Sequence, residues 1–133
     1  MNKRAVGSEK ESLACTYLEA QGMTILHKNF RSRQGEVDLI GLHQDCLVFI
    51  EVKYRSNTTS GTPEGAVGYT KQSKICRTCD FFRIRYPQYQ EMQVRFDVVA
   101  ICEKEIRWYQ NAFPYIDFSD RNDHMSRKRS YSW

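Results

Sequence analysis

Gly35-Glu36-Val37-Asp38-Leu39-Ile40-Gly41-Leu42, the polar stretch His43-Gln44-Asp45-Cys46, and Leu47-Val48-Phe49-Ile50-Glu51-Val52-Lys53-Tyr54 together decide the fold. Both runs are rich in β-branched and aromatic residues around a short polar break, which predicts an antiparallel hairpin of strands Glu36–Leu42 and Leu47–Tyr54. A turn of two residues or of four gives the same register, with Asp38 opposite Glu51 and Glu36 opposite Lys53. Ile40, Leu42, Leu47 and Phe49 then share the face of Asp38 and Glu51, while Val37, Leu39, Val48, Ile50 and Val52 line the other. Apolar residues on both faces predict a hairpin covered on both sides, polar only at the end away from its turn.

Upstream, Ser8-Glu9-Lys10-Glu11 reads as a capping box, and Leu13, Ala14, Tyr17, Leu18 and Gln21 at helical spacing predict a helix over 8–21 that stops at Gly22. Met23–Phe30 reads as a short strand, followed by the polar turn Arg31-Ser32-Arg33-Gln34-Gly35. Downstream, Arg55–Tyr69 turns to Ser, Thr, Asn, Gly and Pro, the composition of either a functional loop or a plain linker. Thr70 is placed to cap a second helix running to about Tyr86 and stopped by Pro87, with Ile75, Cys79, Phe82 and Tyr86 on one side. Val94–Cys102 is apolar on both faces at Val98-Val99-Ala100-Ile101, as in a central strand, and Ile106–Tyr109 forms a last short strand. The expected fold is α/β, a mixed β-sheet flanked by helices in the order α-β-β-β-α-β-β. One domain spans residues 1–116, and 117–133 is a polar tail with a basic cluster, Arg127-Lys128-Arg129.

A chain of 133 residues, 41% hydrophobic and 13% aromatic, has the apolar area for one core without disulfides or a structural metal. Five irregularly spaced cysteines make a disulfide framework a poor explanation, and Cys76-Arg77-Thr78-Cys79, half a zinc site with no second pair, reads as core thiols. No apolar run is long enough for a membrane span and none forms a signal core, so a cytoplasmic protein is expected. The net charge of +4 is compatible with a polyanionic partner without demanding one. Gly61–Gly68 lacks a phosphate-loop lysine, and no hydrolase triad stands out.

Opposed carboxylates have Cβ atoms ~4.5–5.5 Å apart and destabilise a sheet unless something compensates. A bridging Mg²⁺ or Mn²⁺ would do so, since Mg²⁺ takes a few carboxylate oxygens and keeps its waters. Lys53, on the same face, is then placed to steady charge growing on a phosphate. Ordinary surface salt bridges involving Glu36, Lys53 and Asp38 are the competing explanation, and residue spacing alone does not choose between the two.

Gly35-Glu36-Val37-Asp38-Leu39-Ile40, Leu47-Val48-Phe49-Ile50-Glu51-Val52-Lys53-Tyr54-Arg55, Lys71 opening a helix, and Arg95-Phe96-Asp97-Val98-Val99 together resemble the YraN-type family of small bacterial proteins, from about Gly7 to Tyr109. That family looks like a minimal PD-(D/E)XK nuclease with a restriction-endonuclease-like core and is similar in plan to Holliday-junction resolvases. The resemblance implies that Asp38 and Glu51 bind the metal, Lys53 is the motif lysine, Glu11 is an additional acidic ligand, and Glu36, Arg55 and Lys71 are supporting or nucleic-acid-binding positions. It implies a nuclease using Mg²⁺ or Mn²⁺ on nucleic acid, DNA above RNA, with a homodimer plausible by analogy and no membrane partner. The alternative is a non-catalytic nucleic-acid-binding or scaffold protein that keeps the fold. Val37 replaces the proline of the superfamily's name, and Lys10 stands where the YraN-type pattern has glycine. Glu11 is equally explained as part of the capping box, and Lys71 as part of a solvated helix face.

Overall fold

The computed structural model describes residues 3–55, 67–103 and 105–116, with side chains from residue 9 onward. The stretch 56–66 of the predicted loop, the Ser8 side chain and the 117–133 tail lie outside the described residues. In chain order the elements are α1 (Lys3–Ala20), β1 (Thr24–Ser32), β2 (Gly35–His43), β3 (Cys46–Arg55), α2 (Tyr69–Arg85), a 3-10 turn (Pro87–Tyr89), β4 (Gln93–Cys102) and β5 (Glu105–Tyr109).

The hairpin closes through the shorter turn, with Gln44 and Asp45 at φ 49 and 66°. Two left-handed residues in succession match the twist of the strands they join. The register is the expected one: Leu39 pairs with Ile50, Ile40 with Phe49 and Leu42 with Leu47. The five strands lie in the order β1-β2-β3-β4-β5. Every pairing is antiparallel except β3 with β4, which is parallel because α2 carries the chain back across the sheet.

Each face carries its own core. Val37, Ile40, Leu47, Phe49, Phe96 and Val98 pack with Ile75, Cys76, Cys79 and Phe82 of α2. Leu39, Val48, Ile50, Val99 and Ile101 pack with Ala14 and Leu18 of α1. The two cysteines of α2 are core thiols, as expected; burial pushes the Cys76 thiol up to about 12, and the Cys79 thiol is raised for the same reason.

Helix boundaries depart from expectation at two starts. The backbone of α1 is already helical from Lys3, so Ser8 lies inside the helix and not at its N-cap, where non-helical dihedrals are required. A Ser-x-x-Glu pattern fits a helix interior equally well, and the helix runs past it. Likewise α2 begins at Tyr69 with Gly68 at the N-cap, so Thr70 is not the cap. The helix ends follow the sequence closely. Gly22, at φ +100°, lets the Met23 N–H reach the Leu18 carbonyl (3.0 Å) and its own N–H reach Glu19 (3.1 Å), the paired closure that requires a left-handed residue. Pro87 stops α2, and Tyr86 becomes its C-cap. Among the described residues no helix is long and apolar enough to cross a membrane.

Candidate functional site

The site forms where β2 loses its regularity. Residues i and i+2 of a strand share a face, yet Val37 belongs to the α2-side core and Leu39 to the α1-side core. The alternation breaks at Asp38, so Val37 is not on the face its position predicts. Across from it on β1, Asn29 takes a left-handed φ of 52° between the paired positions Lys28↔Leu39 and Phe30↔Val37. On the other side the β2–β3 ladder ends at Leu39↔Ile50. Beyond that point the Asp38 carboxylate takes over from the backbone: Oδ2 accepts a 2.8 Å hydrogen bond from the Val52 N–H. A carboxylate is thus delivered to the edge of β3, beside Glu51, instead of facing it across a regular ladder.

Glu51 extends from β3 toward α2 and is 4% exposed. Its Oε2 sits 3.4 Å from Lys71 Nζ. Its Oε1 is buried without a hydrogen-bond partner. Burial, reinforced by the charge of Asp38 and opposed by Lys71 and Lys53, pushes the Glu51 carboxyl up to about 8. A carboxyl buried in this way is stabilised by holding a proton or by meeting a cation. Lys71 therefore lies at the site; it is part-buried, not a fully solvated residue of the helix face.

Glu11 projects from α1 toward the same place. Its carboxyl is raised by partial burial and by its contact with Asp38, with a hydrogen bond involving Asn29 acting in the other direction. Because Ser8 is not a cap, the capping explanation for Glu11 no longer holds. Glu11 reaches Asp38, and Asp38 reaches Glu51, but among the described residues no three His, Cys, Asp or Glu side chains are arranged to hold one metal ion together. Lys10 turns aside from the carboxylates, its ammonium 4.4 Å from the centre of the Tyr54 ring. Lysine in place of glycine thus does not hold α1 away from the site. Glu36 is not paired with Lys53: it binds Arg31 of β1 at 3.0 Å, because β2 and β3 have already separated there. Lys53 follows Glu51 by two residues on the α2 side, and Arg55 ends β3.

A second charged cluster was not anticipated. Arg95 and Asp97, two residues apart on β4, are 9% and 0% exposed. Arg95 Nε and Nη2 donate to Asp97 at 3.0 and 2.9 Å, and Nη2 also contacts His43 Nδ1 at 3.0 Å. Trp108 Nε1 and the Asn111 backbone N–H each donate to Asp97 at 2.9 Å. Burial, with the Arg95 charge next, lowers the His43 pKa, so His43 meets Arg95 as a neutral acceptor. The available signal was two opposite charges at strand spacing inside an otherwise apolar strand.

The model of the family described as "Uncharacterised protein family UPF0102" matches residues 10–101. A UPF0102 protein of Francisella tularensis is 44% identical over 112 residues, covering 84% of this chain and 96% of that one. One from Lachnoclostridium phytofermentans is 42% identical over 113 residues, covering 85% and 96%. Another from Aliivibrio fischeri is 43% identical over 114 residues, covering 84% and 93%. The matched span holds the hairpin, the carboxylate pair, Lys71 and the Arg95–Asp97 cluster, so the chain belongs to the UPF0102, or YraN, family.

Proposed function

We propose that this protein is a metal-dependent nuclease of the PD-(D/E)XK superfamily that hydrolyses phosphodiester bonds in nucleic acid, with DNA the preferred substrate. The observation that carries the reading is the buried, unpartnered Glu51 Oε1 beside the Asp38 carboxylate. Neutral packing or a donor would satisfy a structural glutamate, whereas a carboxylate pair with spare oxygen lone pairs suits a hard divalent cation. Mg²⁺ is held by one or two carboxylates, its remaining positions going to water and substrate phosphate, so a pair is a sufficient donor set. Asp38 and Glu51 would hold Mg²⁺ or Mn²⁺, with Glu11 behind Asp38. When bound, the ion supplies an acidified water and neutralises charge on the phosphate.

The protein's own groups do the rest. The Val52 N–H fixes the Asp38 carboxylate, and Lys71 holds Glu51 from the α2 side. Lys53 places an ammonium on the Glu51 side of β3, where it can stabilise the charge that develops on a phosphate oxygen. Lys74, packed against Gly35, adds positive charge along the end of the sheet for the strand backbone.

One observation favours the non-catalytic alternative: Lys71 already supplies Glu51 with a counter-charge. Cleavage decides between them. The purified protein is incubated with Mg²⁺ or Mn²⁺ and with linear, flapped and four-way DNAs, beside Asp38→Asn. Metal-dependent cleavage lost in Asp38→Asn is expected; binding without cleavage in either metal would establish the scaffold reading.

A further inference from the structure

Two tyrosines stand exposed where a folded core gives no reason for it. Tyr54 is 51% exposed and Tyr69 57%, among the few large apolar side chains left in solvent in the described residues. Phe81, another of these, at least packs against Phe30 with ring centroids 6.1 Å apart. Tyr54 follows Lys53 near the end of β3, and Tyr69 opens α2 two residues before Lys71, which pairs with Glu51. Both rings therefore sit at the end of the sheet that carries the carboxylates. Alternation along β3 puts Tyr54 on the α1 side, opposite to Glu51, and Lys10 of α1 lies over that ring at 4.4 Å. Lysines accompany both tyrosines: Lys10 lies over the Tyr54 ring, Lys53 precedes Tyr54 in β3, and Lys71 follows Tyr69 by two residues in α2.

We propose that Tyr54 and Tyr69 hold unpaired nucleobases on the two sides of the carboxylate pair, so that the strand taken is single-stranded or locally unpaired. This rests on the nuclease reading and names its substrate class. In a duplex each base has its faces covered by its neighbours, and only an unpaired base presents a π-face to a side chain. Rings alternating with cations are the means by which proteins grip such strands without reading sequence. A cation on one face of Tyr54 draws electron density from the ring and steadies it, leaving the other face for a base. The lysines neutralise the phosphates on either side of the stacked base.

The test is affinity for labelled strands of about 12 nucleotides, a length within the range one small domain covers. Ca²⁺ replaces Mg²⁺ so that nothing is cleaved. The probes are a thymidine DNA strand, a uridine RNA strand, an abasic strand of equal length and charge, and a DNA duplex. The base-bearing strand is expected to bind about tenfold more tightly than the abasic strand. Tyr54→Ala with Tyr69→Ala should erase that difference while leaving abasic binding in place, and Tyr→Phe at both positions should restore it. Whichever of DNA and RNA shows the larger base-dependent step identifies the strand. Equal affinity for base-bearing and abasic strands, or an undiminished difference in the alanine variant, would overturn the inference and leave the nuclease reading standing. Absence of binding to every probe would overturn both. Thermal melts confirm that the variants fold.

Discussion

Two buried carboxylates lie on neighbouring strands and have opposite fates. Asp97 pairs in register with Ile50, one residue from Glu51, and faces the other side of the sheet. Asp97 receives Arg95, Trp108 and the Asn111 backbone, so both of its oxygens are satisfied. Glu51 has a lysine at 3.4 Å on one oxygen and no hydrogen-bond partner on the other. Asp97 thus ties β4 to β5 and to the chain beyond, whereas the burial of Glu51 costs stability. A saturated buried charge reads as architecture, and an unsaturated one beside a second carboxylate reads as a binding site.

The largest expected effect is at the saturated cluster. Asp97→Ala leaves the Arg95 guanidinium buried and unpaired, and should cost ~3–5 kcal/mol in urea unfolding. A loss below about 1 kcal/mol would break the comparison, because Asp97 would then be dispensable to the fold.

Glu51→Gln should do the reverse. It removes a charge the protein is poorly built to bury, and at pH 8 in EDTA it should raise stability by about 1–3 kcal/mol. The sign follows from linkage. The Glu51 carboxyl is raised from the usual carboxylate range to about 8, so between the two values the folded protein holds a proton that the unfolded chain has lost. Its contribution is fully present below the unfolded value and lost as pH rises toward 8. Melts of the metal-free protein should therefore fall through that window, at up to about 1.4 kcal/mol per pH unit, and Glu51→Gln should flatten the fall. An unchanged slope in the variant would assign the titration elsewhere.

Asp38→Asn should alter stability least. Its amide oxygen still accepts the Val52 N–H, and like-charge repulsion with Glu51 and Glu11 disappears, so metal-free stability should stay within about 0.5 kcal/mol of wild type or rise slightly. A clear loss of stability in EDTA would recast Asp38 as a structural partner.

What could be read from the residues follows the reach of each signal. The hairpin register, the two apolar faces and the double burial of Val98 and Val99 were legible because period-two patterning is a local property of the strands. The carboxylate pair was legible as a pair for the same reason. The break at Asp38 was not: it depends on β1 accommodating Asn29 in a left-handed conformation, and it moves Val37 to the α2 side and separates Glu36 from Lys53. The Ser8 and Thr70 caps failed because cap patterns mark where a helix could begin without forbidding an earlier start. The Asp97 network needed partners from β5 and beyond, which no local pattern locates.

The central claim, that Asp38 and Glu51 form a divalent-metal site, is tested most directly by titrating Mn²⁺ into the purified protein by calorimetry at pH 8, beside Glu51→Gln and Asp97→Asn. Wild type should bind Mn²⁺ with proton release to buffer, since the metal displaces the proton that Glu51 retains. Glu51→Gln should lose that binding, and Asp97→Asn, where folded, should keep it. No Mn²⁺ binding by wild type, or binding that survives Glu51→Gln unchanged, would contradict the account.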